Sequence, residues 1–238
     1  MLDRLIPGFA PRLVPTLIAV PGVVLLLCLS GWQLARHFER TAENDLRASR
    51  LAMPPVAVDA ALADPELRRF RRVDATGRFD HAHEIHVYAR SLNGNEGFFV
   101  MTPLVREGKP ALIVNRGWVR KELREARLRA EGQVAGEVTV EGVLRDEPRR
   151  GWMMPDNMPA KDVWFWFDLP AMSKAMGVPD ALPVYVEQAL EPRNPGGWPL
   201  GGQTQVELPR PHLQYSFTWF ALAVSLAAIY VISQRRKP

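Results

Sequence analysis

Two long apolar runs bracket a polar middle. Leu13 to Ala35 and Leu213 to Gln234 carry no formal charge, and cations stand at their edges: Arg12 and Arg36 around the first, Arg235 after the second. At about 1.5 Å of rise per helical residue, either run reaches roughly 33 Å, enough to cross a hydrocarbon core of about 30 Å. The pattern predicts transmembrane helices over 13–35 and 213–234. Basic flanks, Arg4 and Arg12 at one end and Arg235, Arg236 and Lys237 at the other, place both termini in the cytoplasm. The expected layout is a cytoplasmic N-terminus over 1–12, an extracytoplasmic domain over 36–212 and a cytoplasmic tail over 235–238. An export signal is the alternative for the first run. It fits poorly, because the run is long, no small-x-small site follows before Trp32 and Arg36, and Leu25 to Leu27 precede Cys28.

Past Arg36 the charges are interleaved with Phe38 and Leu46, which reads as the helix continuing out of the membrane until Pro54-Pro55 stops it. Then the period changes. Segments around 70–79, 84–90, 97–105, 111–119 and 138–144 are short, rich in Val, Ile, Phe and Thr, and separated by turn signals such as Asn93-Gly94-Asn95. Val163 to Asp168 continues the series and, apolar on both faces, is expected as a central strand. Arg120 to Glu131 reads as a thinly amphipathic basic helix. Pro170 to Met176, stopped by Gly177, reads as a short helix. Pro192 to Pro211 is a Pro- and Gly-rich connector. The fold class is therefore membrane α+β: two transmembrane helices flanking a mainly antiparallel sheet or partly closed barrel, with short helices.

Composition alone would miss this, since 47% hydrophobic and 24% charged residues suit a soluble protein. The net charge of +4 favours anionic headgroups or an acidic partner over nucleic acid. The single cysteine, Cys28, lies inside a predicted span, so the external domain must be held by a packed core without disulfides. No nucleophile elbow, P-loop, His-Glu-x-x-His or dinucleotide fingerprint occurs, and the chain is expected not to be an enzyme. His81, His83 and His86 are weighed as metal ligands against a solvated hairpin. Met153, Met154 and Met158 beside Trp152 are weighed as a Cu(I) set against flexible apolar contacts.

The opening of the second span carries a more pointed pattern. His212, Tyr215, Ser216 and Trp219 fall at i, i+3, i+4 and i+7, with Ala223 and Ala227 extending the same face. This face can take something flat, with His212 ligating haem iron and Tyr215 and Trp219 covering the macrocycle. Interfacial aromatics and a hydrated histidine are the plainer reading.

Several motifs in this order resemble the surfeit-locus assembly factors of cytochrome c oxidase. They are Gly31-Trp32-Gln33-Leu34-Ala35-Arg36, Arg71-Arg72-Val73 with Gly77-Arg78-Phe79, Thr102-Pro103-Leu104, Asn115-Arg116-Gly117-Trp118, Val163-Trp164 with Asp168-Leu169, and His212-Leu213-Gln214-Tyr215 with Thr218-Trp219. The resemblance implies a factor that helps insert haem a into the oxidase catalytic subunit by receiving and handing over haem a. Haem a synthase is a further expected partner, and the bilayer a constant one. It also implies His212 as the ligand to iron, with Tyr215 and Trp219 as neighbours. Trp32 at the outer boundary and Arg116, facing a propionate or a partner carboxylate, are further candidate residues. For Asn115 to Trp118 a structural reading stands beside this, Gly117 bending a strand and Trp118 filling the core. The pattern departs at Pro211, which cannot set the imidazole tautomer, at Arg120 and at Phe98. A scaffold that binds no cofactor and holds an early oxidase subunit or a haem-making enzyme is the alternative. A periplasmic sensor is disfavoured by the short tails. With about a dozen residues before the first span and no serine among them, the expected location is the bacterial inner membrane, the domain being periplasmic.

Overall fold

The computed structural model describes residues 9–209 and 211–235; Arg4, Arg236 and Lys237, which help set the expected orientation, lie outside them. In chain order the elements are α1 (Leu13–Ala52), β1 (Val56–Ala57), α2 (Val58–Leu62), α3 (Pro65–Arg68), β2 (Arg72–Phe79), β3 (Ile85–Leu92), β4 (Asn95–Arg106), β5 (Lys109–Arg120), β6 (Glu137–Asp146), α4 (Leu169–Ala175), β7 (Val184–Gln188) and α5 (His212–Ser233). They form two compact units, Met1–Leu46 with Val206–Pro238, and Arg47–Gln205.

In the first unit α1 and α5 run antiparallel. Both are long and apolar enough to cross a membrane, and little of either apolar stretch is covered by protein. The side chains between them are small or hydroxylated, as close helix approach in lipid requires. Ser30 Oγ–H donates to the Ser216 carbonyl at 3.0 Å, and Ser216 Oγ–H returns a bond to the Ser30 carbonyl at 2.9 Å. Ala19 and Ala223 are buried, Gly22 leaves room for Leu226, and the Thr16 and Tyr230 hydroxyls meet at 2.6 Å. Asn44 pairs with the backbone of Leu208 in both directions, at 3.2 and 3.0 Å.

The second unit is a seven-stranded sheet in the order β1-β2-β6-β7-β5-β4-β3. It closes on itself where β2 also meets β4, Arg78 opposite Val105 and Phe79 opposite Leu104, so β2, β6, β7, β5 and β4 make a small barrel. Most pairings are antiparallel; β1 with β2 and β5 with β7 are parallel. Along β2 burial alternates, with Val73, Ala75 and Phe79 inward against Leu104, Leu112, Val140 and Val186. A second cluster, built on Ile85, Val87, Met101, Ile113 and Tyr185, is covered by α4 through Leu169 and Met172. The expected short helix is α4, capped by the Asp168 carboxylate on Ala171 N–H at 3.0 Å.

Two local expectations are corrected. Val163 to Asp168 is buried in part, Trp164 fully, but is not a strand. The Asn157 side chain takes its backbone groups: Oδ1 accepts from Phe165 N–H at 2.8 Å and Trp166 N–H at 3.3 Å, and Nδ2 donates to the Trp166 carbonyl at 3.2 Å. From the sheet, Tyr88 N–H donates to the Trp164 carbonyl at 2.8 Å. The strand between β5 and β6, with Val184, Tyr185 and Val186 buried, is instead β7, five residues that the pattern does not single out. Arg120 to Glu131 forms two tight 3-10 turns, 121–123 and 126–132, because the Arg129 side chain turns inward and its backbone leaves the helical region at φ −137°.

Gly117 carries a φ of +124°, and a Cβ there would drive into the Leu200 carbonyl. The close approach holds residues 198–201 on β5, where Trp118 and Leu200 exchange backbone bonds at 2.9 Å in each direction. Gly117→Ala therefore costs more than about 2 kcal/mol, from strain plus the lost pairing, and lowers the thermal midpoint of unfolding.

Candidate functional site

His212 is the first residue of α5, and its helix begins as Tyr215 N–H reaches the Pro211 carbonyl at 3.2 Å. The decisive contact is with α1. His212 Nδ1 lies 2.8 Å from Gln33 Oε1, and since that oxygen can only accept, Nδ1 carries the proton. In the neutral imidazole Nε2 then keeps its lone pair, which is what binding a metal needs. The tautomer that Pro211 cannot set is set by Gln33, near the middle of α1. Gln33 sits inside the Gly31-Trp32-Gln33 motif, yet its role is invisible until α1 and α5 are paired.

The aromatic residues divide. Tyr215 is 52% and Trp32 56% exposed, whereas Trp219 is half-buried. The small residues of the expected stripe do not form an open shelf, since Ser216 and Ala223 are buried against α1. What remains available at the start of α5 is the Nε2 edge of the imidazole and the exposed face of Tyr215, while Trp32 on α1 is exposed as well. These side chains fit a group that needs one nitrogen ligand and flat apolar cover. Replacing Gln33 by leucine removes the acceptor that orients the ring. Were haem iron held through Nε2, its affinity would fall roughly 10- to 100-fold in this variant, read by titration of the purified protein.

Arg116 belongs to the other unit and is fully buried. Its guanidinium donates to the Gly132 carbonyl at 2.6 Å and to Asn194 Oδ1 at 3.1 Å, and stacks 4.6 Å above the Phe79 ring. Burial pushes its pKa down to about 10, which still leaves it charged near neutrality. Asn194 in turn donates to the Pro199 carbonyl at 2.6 Å, so Arg116 ties the returning connector to the barrel. With its donors turned inward, the Asn115 to Trp118 motif is accounted for by packing: Trp118 lies 6.1 Å from Trp198, and Asn115 Oδ1 accepts from Gly117 N–H at 3.1 Å.

The three histidines have separate partners. His81 Nε2–H donates to the Val134 carbonyl at 2.9 Å, His83 meets Asp80 at 2.7 Å, and His86 lies beside Glu84, Arg129 and Asp162. Burial pushes the pKa of His81 down. The Met153, Met154 and Met158 side chains are exposed. An open cavity of about 800 Å³ where β2 and β4 part is lined by Asp59, Asp74, Arg78, Arg106 and Lys109, with no imidazole or thioether among its lining residues. It offers no axial ligand to haem.

The SURF1 family model matches residues 20–224, which takes in most of α1, the barrel and the first half of α5. The SURF1-like protein of Monosiga brevicollis is 31% identical over 231 residues, 92% of this chain and 87% of that relative. Surfeit locus protein 1 of Gallus gallus is 31% identical over 219 residues, 85% of this chain and 70% of its own length. The Takifugu rubripes protein of the same name is 30% identical over 218 residues, covering 85% and 89%. The chain is a membrane protein and belongs to the SURF1 family.

Proposed function

We propose that this chain is a non-enzymatic assembly factor for cytochrome c oxidase that receives haem a on His212 and hands it to the catalytic subunit. The observation that supports this reading best is the 2.8 Å contact between His212 Nδ1 and Gln33 Oε1, which leaves Nε2 ready to meet iron. Trp32, Tyr215 and Trp219 supply apolar cover for the macrocycle. Haem a is cargo here, so one protein ligand that can be exchanged suits delivery better than an enclosed pocket. The basic flanks argue for cytoplasmic termini in a bacterial inner membrane, with the barrel in the periplasm, and for a hand-over at the outer boundary. Haem a synthase is the natural donor.

The test is in cells. With His212→Ala in place of the wild-type protein, the catalytic subunit should accumulate with haem a much reduced. Normal haem a content in the oxidase would contradict delivery through His212 and favour a cofactor-free scaffold.

A further inference from the structure

The barrel unit begins at Arg47 and ends at Gln205, and these two residues meet: Arg47 Nη1 donates to the Gln205 carbonyl at 3.0 Å. Three guanidinium groups, of Arg47, Arg69 and Arg145, pack around the ring of Phe70 at 4.4, 5.1 and 5.1 Å. Phe70 is 5% exposed and held at a φ of 59°, a left-handed conformation that aromatic residues rarely adopt. Arg68, paired with Asp146 at 3.1 Å, and Arg72, paired with Glu141, join the group. Beyond Asp146, where β6 ends, the chain reads Glu147, Pro148, Arg149, Arg150, Gly151, Trp152, Met153, Met154, with Arg150 paired with Asp156 at 2.7 Å. Trp152 is 94% and Met153 78% exposed. A tryptophan and a methionine standing side by side in solvent, next to cations, are out of place on a free surface.

We propose that this arginine-rich end of the barrel unit, with the Arg149–Met154 loop, is a docking surface for anionic phospholipid headgroups. Charge selects the occupant. Arginines near an anionic membrane are attracted within a Debye length, and indole prefers the headgroup layer to either water or hydrocarbon. Reach permits it. From Ala35 to Arg47, α1 rises at most about 18 Å, of which the headgroup layer takes about 5–7 Å, and the six residues from Asp146 to Trp152 extend up to about 20 Å. A protein partner would need an acidic, apolar-pocketed surface of its own. The anionic surface is already supplied by the bilayer that the same chain is anchored in.

The test uses the full chain in nanodiscs, with Cys28→Ser and Trp152→Cys labelled with an environment-sensitive fluorophore. Asn95→Cys, at the turn joining β3 and β4, serves as the control position. Headgroup spin-labelled lipid should quench the label at 152 several-fold more than at 95. That quenching should fall about two- to threefold when phosphatidylglycerol is replaced by phosphatidylcholine or salt is raised to about 1 M. Adding Arg149→Glu and Arg150→Glu should have the same effect. Equal quenching at the two positions overturns the proposal, as does a response at 152 that arises only when the oxidase catalytic subunit is added, which would assign the surface to a protein partner.

Discussion

Replacing Glu84 by glutamine is expected to lower the stability of the barrel unit by about 3–5 kcal/mol, the usual result of stranding one member of a buried ion pair. The Arg129 side chain is 1% exposed and that of Glu84 6%. Arg129 Nη1 donates to Glu84 Oε2 at 3.2 Å, and Nη2 contacts Oε1. The same guanidinium donates to the Leu123 and Arg124 carbonyls, each at 3.1 Å, so it also fixes the two turns that follow β5. Glutamine preserves shape but leaves a buried cation without its anion. Burial pushes the Glu84 carboxyl up, but the hydrogen bonds from His86 and Arg129 outweigh it and hold the group below the usual carboxylate range. Its contribution is therefore complete above the unfolded carboxylate pKa of about 4.3 and is lost as the pH falls through the lower folded value. Denaturant unfolding of both proteins at neutral pH should show the full difference, and the gap should narrow below about pH 4.

On the proposal that His212 holds the haem, His212→Ala is expected to remove haem binding beyond the roughly 10- to 100-fold loss assigned to its outer partner Gln33, because it would delete the ligand itself. The fold should survive. The imidazole is only half-buried and makes one side-chain bond, while the helix pair is held elsewhere by Ser30 with Ser216 and Thr16 with Tyr230. Expression and thermal stability close to wild type, with haem lost, would separate ligation from a general defect. Gln33→Leu should give the intermediate result.

The parts of the structure legible in the sequence are those written in period and charge. Charge-free length marked α1 and α5, short runs rich in Val, Ile, Phe and Thr marked β2 to β6, and turn residues separated β3, β4 and β5. What period cannot record is where a side chain goes after the chain folds. Asn157 takes the backbone groups of Phe165 and Trp166 from a distance of eight or nine positions, so a segment that alternates like a strand is not one. Arg129 looks like the exposed face of a basic helix, but its partner Glu84 is 45 positions away and draws it inward. At the site, His212, Tyr215 and Trp219 are visible by helical spacing. Gln33 is 179 positions from His212, and only the antiparallel pairing of the helices brings it to the imidazole. The same pairing buries Ser216 and Ala223, which spacing alone assigns to an open face.

The most direct measurement is the visible spectrum of the protein purified from cells that make haem a, wild type against His212→Ala at matched protein concentration. The account predicts a histidine-ligated haem a spectrum in the wild type, weakened by Gln33→Leu and absent from His212→Ala while the protein remains folded. Equal haem a in the wild type and His212→Ala would contradict it.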